Sequence, residues 1–141
     1  MELVDIAVNL THDAFAADRS RVLERARAAG VAQLVATGTD EAESAAAAAL
    51  AGAHPGTVFA TAGVHPHHAR DWRPDTARVL AELAAAPGVV ALGETGLDFN
   101  RNYSPPADQE RAFESQLELA GELGMPVLLH ARDAHPRFAR L

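Results

Sequence analysis

Residues 89–99 read VVALGETGLDF. Val89, Val90, Ala91 and Leu92 form an unbroken apolar run, and Glu94 follows between Gly93 and Gly96. A strand with one wet face alternates apolar and polar residues. A continuous run instead belongs to a strand covered on both faces, as in a parallel sheet flanked by helices. In that reading Val89, Val90 and Leu92 build the core, and Glu94 lies where the strand leaves it. Small residues on either side allow close approach by a ligand or a crowded cluster.

The pattern recurs on both sides of this stretch. Apolar runs at 3–10 (LVDIAVNL), 31–38 (VAQLVATG), 57–64 (TVFATAGV) and 125–131 (MPVLLHA) read as four more strands. Helical spacing falls between them: Val22, Leu23, Ala26 and Ala29 up to Gly30, the alanine-rich ESAAAAALAGA behind a capping-box-like Asp40 and Glu43, Val79, Leu80 and Leu83, and Phe113, Leu117 and Ala120 up to Gly124. Ser104 with two prolines makes a good helix start, and HPRFARL begins a fifth helix. Strand–helix units in series give an α/β fold, either a doubly wound sheet or a (β/α) barrel. The first strand is followed by NLTHDAF and not by G-x-G-x-x-G, which favours a parallel (β/α) barrel of the TIM type.

Composition narrows the chemistry. The chain has 141 residues and a net charge of −7, which argues against coating nucleic acid by bulk electrostatics but not against a nuclease whose metals meet the phosphate. It has no cysteine, so disulfides and thiolate chemistry are excluded. It has no lysine either, which excludes Schiff-base chemistry and a Walker-type loop. MELVDIAVNL lacks a basic segment, and no apolar run approaches the roughly 20 residues of a membrane span, so a cytoplasmic location and no membrane partner are expected.

In barrels of this kind the active site lies at the C-terminal strand ends. The five strands end in Asn9, then Thr37 and Thr39, then His65 with His67 and His68, then Glu94, then His130. Each has an ordinary alternative: Glu94 paired with an arginine, His130 bonded to a core carbonyl, solvated loop histidines, Asn9 in a turn, Arg132 as a surface charge. Asp98 and Asp133 read as loop or supporting hydrogen-bonding groups. Together, one glutamate and two histidines form a mixed oxygen and nitrogen set suited to Mg²⁺, Mn²⁺ or Zn²⁺. The chemistry of such a set is metal-assisted hydrolysis.

The segments DIAVNLTHDAF, ATGTD, TAGVHPHHARDW, ALGETGLDFNRNYSPPADQERAFESQLELA and GMPVLLHARDAHPRF resemble the TatD family of metal-dependent deoxyribonucleases over essentially the whole chain. The resemblance implies a (β/α)₈ barrel of the metal-dependent hydrolase superfamily that cleaves DNA phosphodiesters as a 3′ to 5′ exonuclease. It makes Glu94 a metal-bridging ligand, His130 a second metal ligand and His65 a catalytic group near the metals and the scissile phosphate. Asn9, His67 and Arg132 are expected to bind substrate, and Mg²⁺ is the expected metal. Many relatives carry H-x-H where this chain has Ala7 and Asn9, which implies a different first metal site.

A full barrel takes about 250 residues, so residues 1–141 are expected to form one partial domain of about five strands, truncated within the fifth helix. The family pattern continues with a histidine and an aspartate that this chain lacks. The expectation is therefore a portion inactive alone on single-stranded DNA or 3′ ends, engaging nucleic acid through metals and Arg70, Arg73, Arg101 and Arg132. The alternatives are a non-catalytic half-barrel that self-associates through unfinished edges, or a hydrolase of an ester or amide.

Overall fold

A computed structural model describes residues 1–141. Five strands, β1 (Leu3–Val8), β2 (Val31–Ala36), β3 (Val58–Ala62), β4 (Val89–Asp98) and β5 (Val127–Arg132), form one sheet in the order β1-β2-β3-β4-β5. Every neighbouring pair is parallel. Parallel neighbours need a crossover between them. These are α1 (Arg19–Ala28), α2 (Glu41–Ala53), α3 (Thr76–Ala84) and α4 (Pro106–Leu123), with a short α5 (His135–Phe138) after β5. Spatial order follows chain order, which is the arrangement of a (β/α) barrel and not of a doubly wound sheet, whose order reverses.

The core lies between the sheet and its helices. Leu34, Val58, Leu80, Leu92 and Leu119 are its larger buried members, and Ala36, Ala47, Ala51, Ala60 and Ala62 let α2 sit close on the sheet. A smaller cluster of Leu97, Phe113 and Ala134 fills the space under the fifth unit, with Phe138 stacked on Phe113 at 5.0 Å. Val89 and Leu92 are buried as expected, but Val90 is 40% exposed. The run VVAL is therefore not covered on both faces along its whole length.

Local chemistry sets the boundaries. Gly124 ends α4 in the left-handed conformation, with φ 62°. At α2, Asp40 Oδ1 accepts the Glu43 N–H at 2.8 Å, but the Glu43 carboxylate takes the Thr11 hydroxyl at 2.5 Å, so the capping box forms by half. Ser104 does not cap α4, whose N-cap is Pro105. Its hydroxyl donates to the His67 carbonyl at 2.9 Å and accepts the Arg70 N–H at 3.0 Å, tying the loop after β4 to the one after β3. That second loop is not irregular: Pro66–Asp71 winds into a 3₁₀ turn.

Candidate metal centre

Glu94 does not end its strand. It lies inside β4, which continues to Asp98 and keeps pairing with β5 beyond a shift in register after Leu92. Gly93 and Gly96 have φ of 124° and 144°, and a Cβ on either would strike a β5 carbonyl, that of Leu128 or His130. The glycines make room for a neighbouring strand and not for a ligand. The irregular segment turns the Glu94 N–H to the Gly38 carbonyl at 2.9 Å, and the His65 N–H donates to the Thr39 carbonyl at 2.8 Å. The exit of β2 thus anchors the backbone of both residues.

The side chains of His65, Glu94 and His130 converge, with one potential ligand atom from each lying within 4.8 Å of the others. His130 Nδ1 is 3.0 Å from Glu94 Oε1 and 3.3 Å from His65 Nε2. His65 Nε2 is 4.0 Å from Glu94 Oε1. On its other side His130 Nε2 donates to Asp98 Oδ2 at 3.3 Å, and His67 Nε2 donates to the same oxygen at 2.9 Å. Asp98 is fully buried, and its Oδ1 accepts the N–H groups of Asn100 and Arg101.

Burial pushes the Asp98 carboxyl up, but the Arg101 N–H and the hydrogen bonds from His67 and His130 outweigh it and hold the pKa at about 2. Burial first, then the His130, His67 and His68 rings, lower His65 from 6.5 to about 3, against a raising pull from Asp98. His65 is therefore a neutral imidazole at pH 7.

The pair formed by His130 and Glu94 tests whether these residues suit a metal. With the His130 proton committed to Asp98, Nδ1 turns a lone pair toward the carboxylate oxygen 3.0 Å away. A cation shared by both atoms satisfies the two at once. One carboxylate oxygen and one imidazole nitrogen, oriented by a buried carboxylate behind the ring, fit a divalent metal.

Asn9, His12, Thr39, Asp40, Glu43, His65, His67, His68 and Glu94 line a polar cleft of about 450 Å³ beside this group. Asn9 and His67 thus lie in the wall of this cleft. Arg132 is exposed at the end of β5 and is not among the lining residues. Arg73 is committed to Glu41 at 2.7 Å and to Asp75 at 3.5 Å.

Two residues that sequence reasoning passed over support the site from α4. Gln109 accepts the Asp98 N–H at 2.8 Å and donates to the Asp98 and Ser104 carbonyls. Gln116 accepts the Val64 N–H at 2.8 Å and donates to the Val64 and Ala112 carbonyls. Their signal was available: amides seven residues apart fall on the helix face that carries Phe113 and Ala120.

The model of one protein family, TatD related DNase, matches residues 4–141. The chain belongs to this family. It is similar to the 3′-5′ ssDNA/RNA exonuclease TatD of Erwinia billingiae, 57% identical over 136 residues, which is 96% of this chain and 52% of the relative. The TatD exonuclease of Yersinia pseudotuberculosis is 54% identical over 139 residues, 99% of this chain and 54% of its own length. Among solved structures, YJJV, a TatD homologue from Escherichia coli, superposes with a TM-score of 0.88 at 28% identity, covering 98% of this chain and 54% of that one. An uncharacterized amidohydrolase from Saccharomyces cerevisiae superposes with a TM-score of 0.86 at 27% identity, covering 99% and 51%. This TatD-family chain therefore spans about half the length of the curated relatives it matches, and the two solved structures share its fold over the matched residues.

Proposed function

We propose that this chain carries the metal-binding wall of a nuclease that hydrolyses phosphodiester bonds from the 3′ end of single-stranded DNA, with RNA as a second substrate class. The observation that carries this reading is the convergence of Glu94 Oε1 and His130 Nδ1, 3.0 Å apart, where Glu94 lines a polar cleft in a TatD-family fold. Glu94 and His130 would hold the ion, with Mg²⁺ the proposed metal. A divalent ion at such a site supplies an activated water and polarises a phosphoryl oxygen. Asp98 orients the His130 ring through its Nε2–H. His65, His67 and Asn9 face the cleft where substrate would lie, and Arg132 is proposed to meet phosphate outside it. A cytoplasmic setting and a single partial-barrel domain over residues 1–141 belong to the same proposal.

Calorimetric titration of the chain with Mn²⁺, followed by nucleotide release from a 5′-labelled single-stranded oligonucleotide, tests it. Binding should disappear in Glu94→Gln, which keeps the size and removes the charge. Unchanged Mn²⁺ binding by that variant would refute the metal assignment.

One observation favours a second reading, a half-barrel that pairs with another copy. β1 leaves Leu3, Val4 and Ile6 between 43% and 58% exposed, and Leu129 on β5 is 47% exposed, so both sheet edges present apolar side chains. A monodisperse dimer by light scattering with no Mn²⁺ binding would support that reading over the first.

A further inference from the structure

Resting on the nuclease reading, we infer that Tyr103 stacks on an unpaired base of the substrate strand and makes the site selective for single strands. Tyr103 is the only tyrosine of the chain, and it belongs to neither hydrophobic cluster. It is 50% exposed. Its ring meets that of His67 edge-on, with centroids 4.7 Å apart and planes at 73°. His67 in turn lines the cleft, 4.3 Å from the His65 ring and 6.2 Å from the His130 ring. Tyr103 is thus the outermost of a group of rings that reaches in to the candidate metal ligands.

The loop that carries Tyr103 is wound on Asp98. The Oδ1 atom accepts the Asn100 N–H at 3.1 Å and the Arg101 N–H at 2.8 Å, while Oδ2 takes His67 and His130. Asn102, at φ 48°, donates its side-chain amide to the Phe99 carbonyl at 2.7 Å. On the other side of Tyr103, Ser104 is clamped to the loop after β3. One carboxylate therefore fixes both the His130 ring and the segment leading to Tyr103, so their relative placement is set before substrate arrives. A group ordered in advance has little freedom left to lose on binding.

Arg101 Nη1 donates to the Tyr103 hydroxyl at 3.3 Å. The arginine ion pairs of the chain use Arg25, Arg73, Arg78, Arg111 and Arg137, and not Arg101. An exposed aromatic ring beside a guanidinium without a carboxylate offers one group for a base and one for its phosphate. The net charge of −7 opposes nucleic acid at long range, so affinity that does not depend on charge carries extra weight. Stacking supplies it and tolerates any base, because every base has a π-face. Inside a duplex both faces are covered by neighbouring bases, whereas an unpaired base has a face to give.

With one tyrosine in the chain, 3-fluorotyrosine labelling places a single ¹⁹F reporter on this ring. With Mg²⁺ present, a single-stranded oligodeoxyadenylate should move the resonance upfield through the ring current of the stacked base. An abasic oligomer with the same number of phosphates, and a blunt duplex, should not. Fluorescence anisotropy of the labelled oligomers scores binding independently. An unmoved resonance with the single strand bound would overturn the inference and leave the nuclease reading standing; no binding of any oligomer would overturn both. Tyr103→Ala should weaken oligodeoxyadenylate binding about 5- to 150-fold, with abasic-oligomer and Mn²⁺ affinities unchanged, while Tyr103→Phe binds as the parent does. Equal losses for the base-bearing and abasic oligomers would mark a structural role for the ring and overturn stacking.

Discussion

Asp98 illustrates what single residues contribute. The sequence marks it as a polar residue after an apolar run, and a supporting hydrogen-bonding role was readable. Its burial, and its hold on two histidines from different elements, were not, because they depend on the register between β4 and β5 and on where the turn after β3 brings His67. Asp98→Asn preserves shape but removes the charge that fixes the His130 proton, so Mn²⁺ affinity should fall about 10- to 100-fold by titration calorimetry. His65 makes a prediction about acid. Between its unfolded value of 6.5 and its folded value of about 3, the unfolded chain binds a proton at this position that the folded chain refuses. Stability is therefore full above pH 6.5 and declines as pH falls toward 3, by about 2 kcal/mol from this group at pH 5. Urea unfolding in chelator at pH 7.5 and pH 5 should show a smaller drop for His65→Gln than for the parent chain; an equal drop would contradict the assignment.

At the scale of elements, the strand and helix succession was legible because apolar runs and helical spacing persist over many residues. What was not legible was Glu94 inside β4, since the interruption at Gly93–Glu94 changes pairing with β5 without changing composition. α4 supplied the other surprise: Gln109 and Gln116 clamp the backbone at Asp98 and Val64, although buried amides look out of place on an apolar face. Gln116→Leu would strand the Val64 N–H and carbonyl, and each unsatisfied buried group costs about 1–3 kcal/mol. A loss of that order in unfolding free energy is expected, with faster amide exchange at Val64. Glycines separate in the same way. Gly52, in the last turn of α2 with open space around it, should gain about 0.4–1 kcal/mol on replacement by alanine, which narrows the unfolded ensemble. Gly96→Ala should prevent native packing, since its Cβ would collide with the His130 carbonyl. Thermal unfolding of the two variants checks both signs.

The whole molecule joins a net charge of −7 to two apolar sheet edges. Charge keeps copies apart at long range, but salt screens it within about 8–10 Å, so association through the edges should increase with ionic strength. Ile6→Lys combined with Leu129→Lys should lower the mass-average molecular weight by light scattering at high salt. No difference from the parent chain would show that the edges are not the contact. Because spatial order in the sheet follows chain order, the same topology has a meaning during synthesis. Chains emerge N-terminus first, and each new strand needs only the one made just before it as a template. Glu94 and His130 belong to the fourth and fifth strands in chain order, so the charged cleft can capture a cation only after translation has passed β5, when the strands before it have already been made.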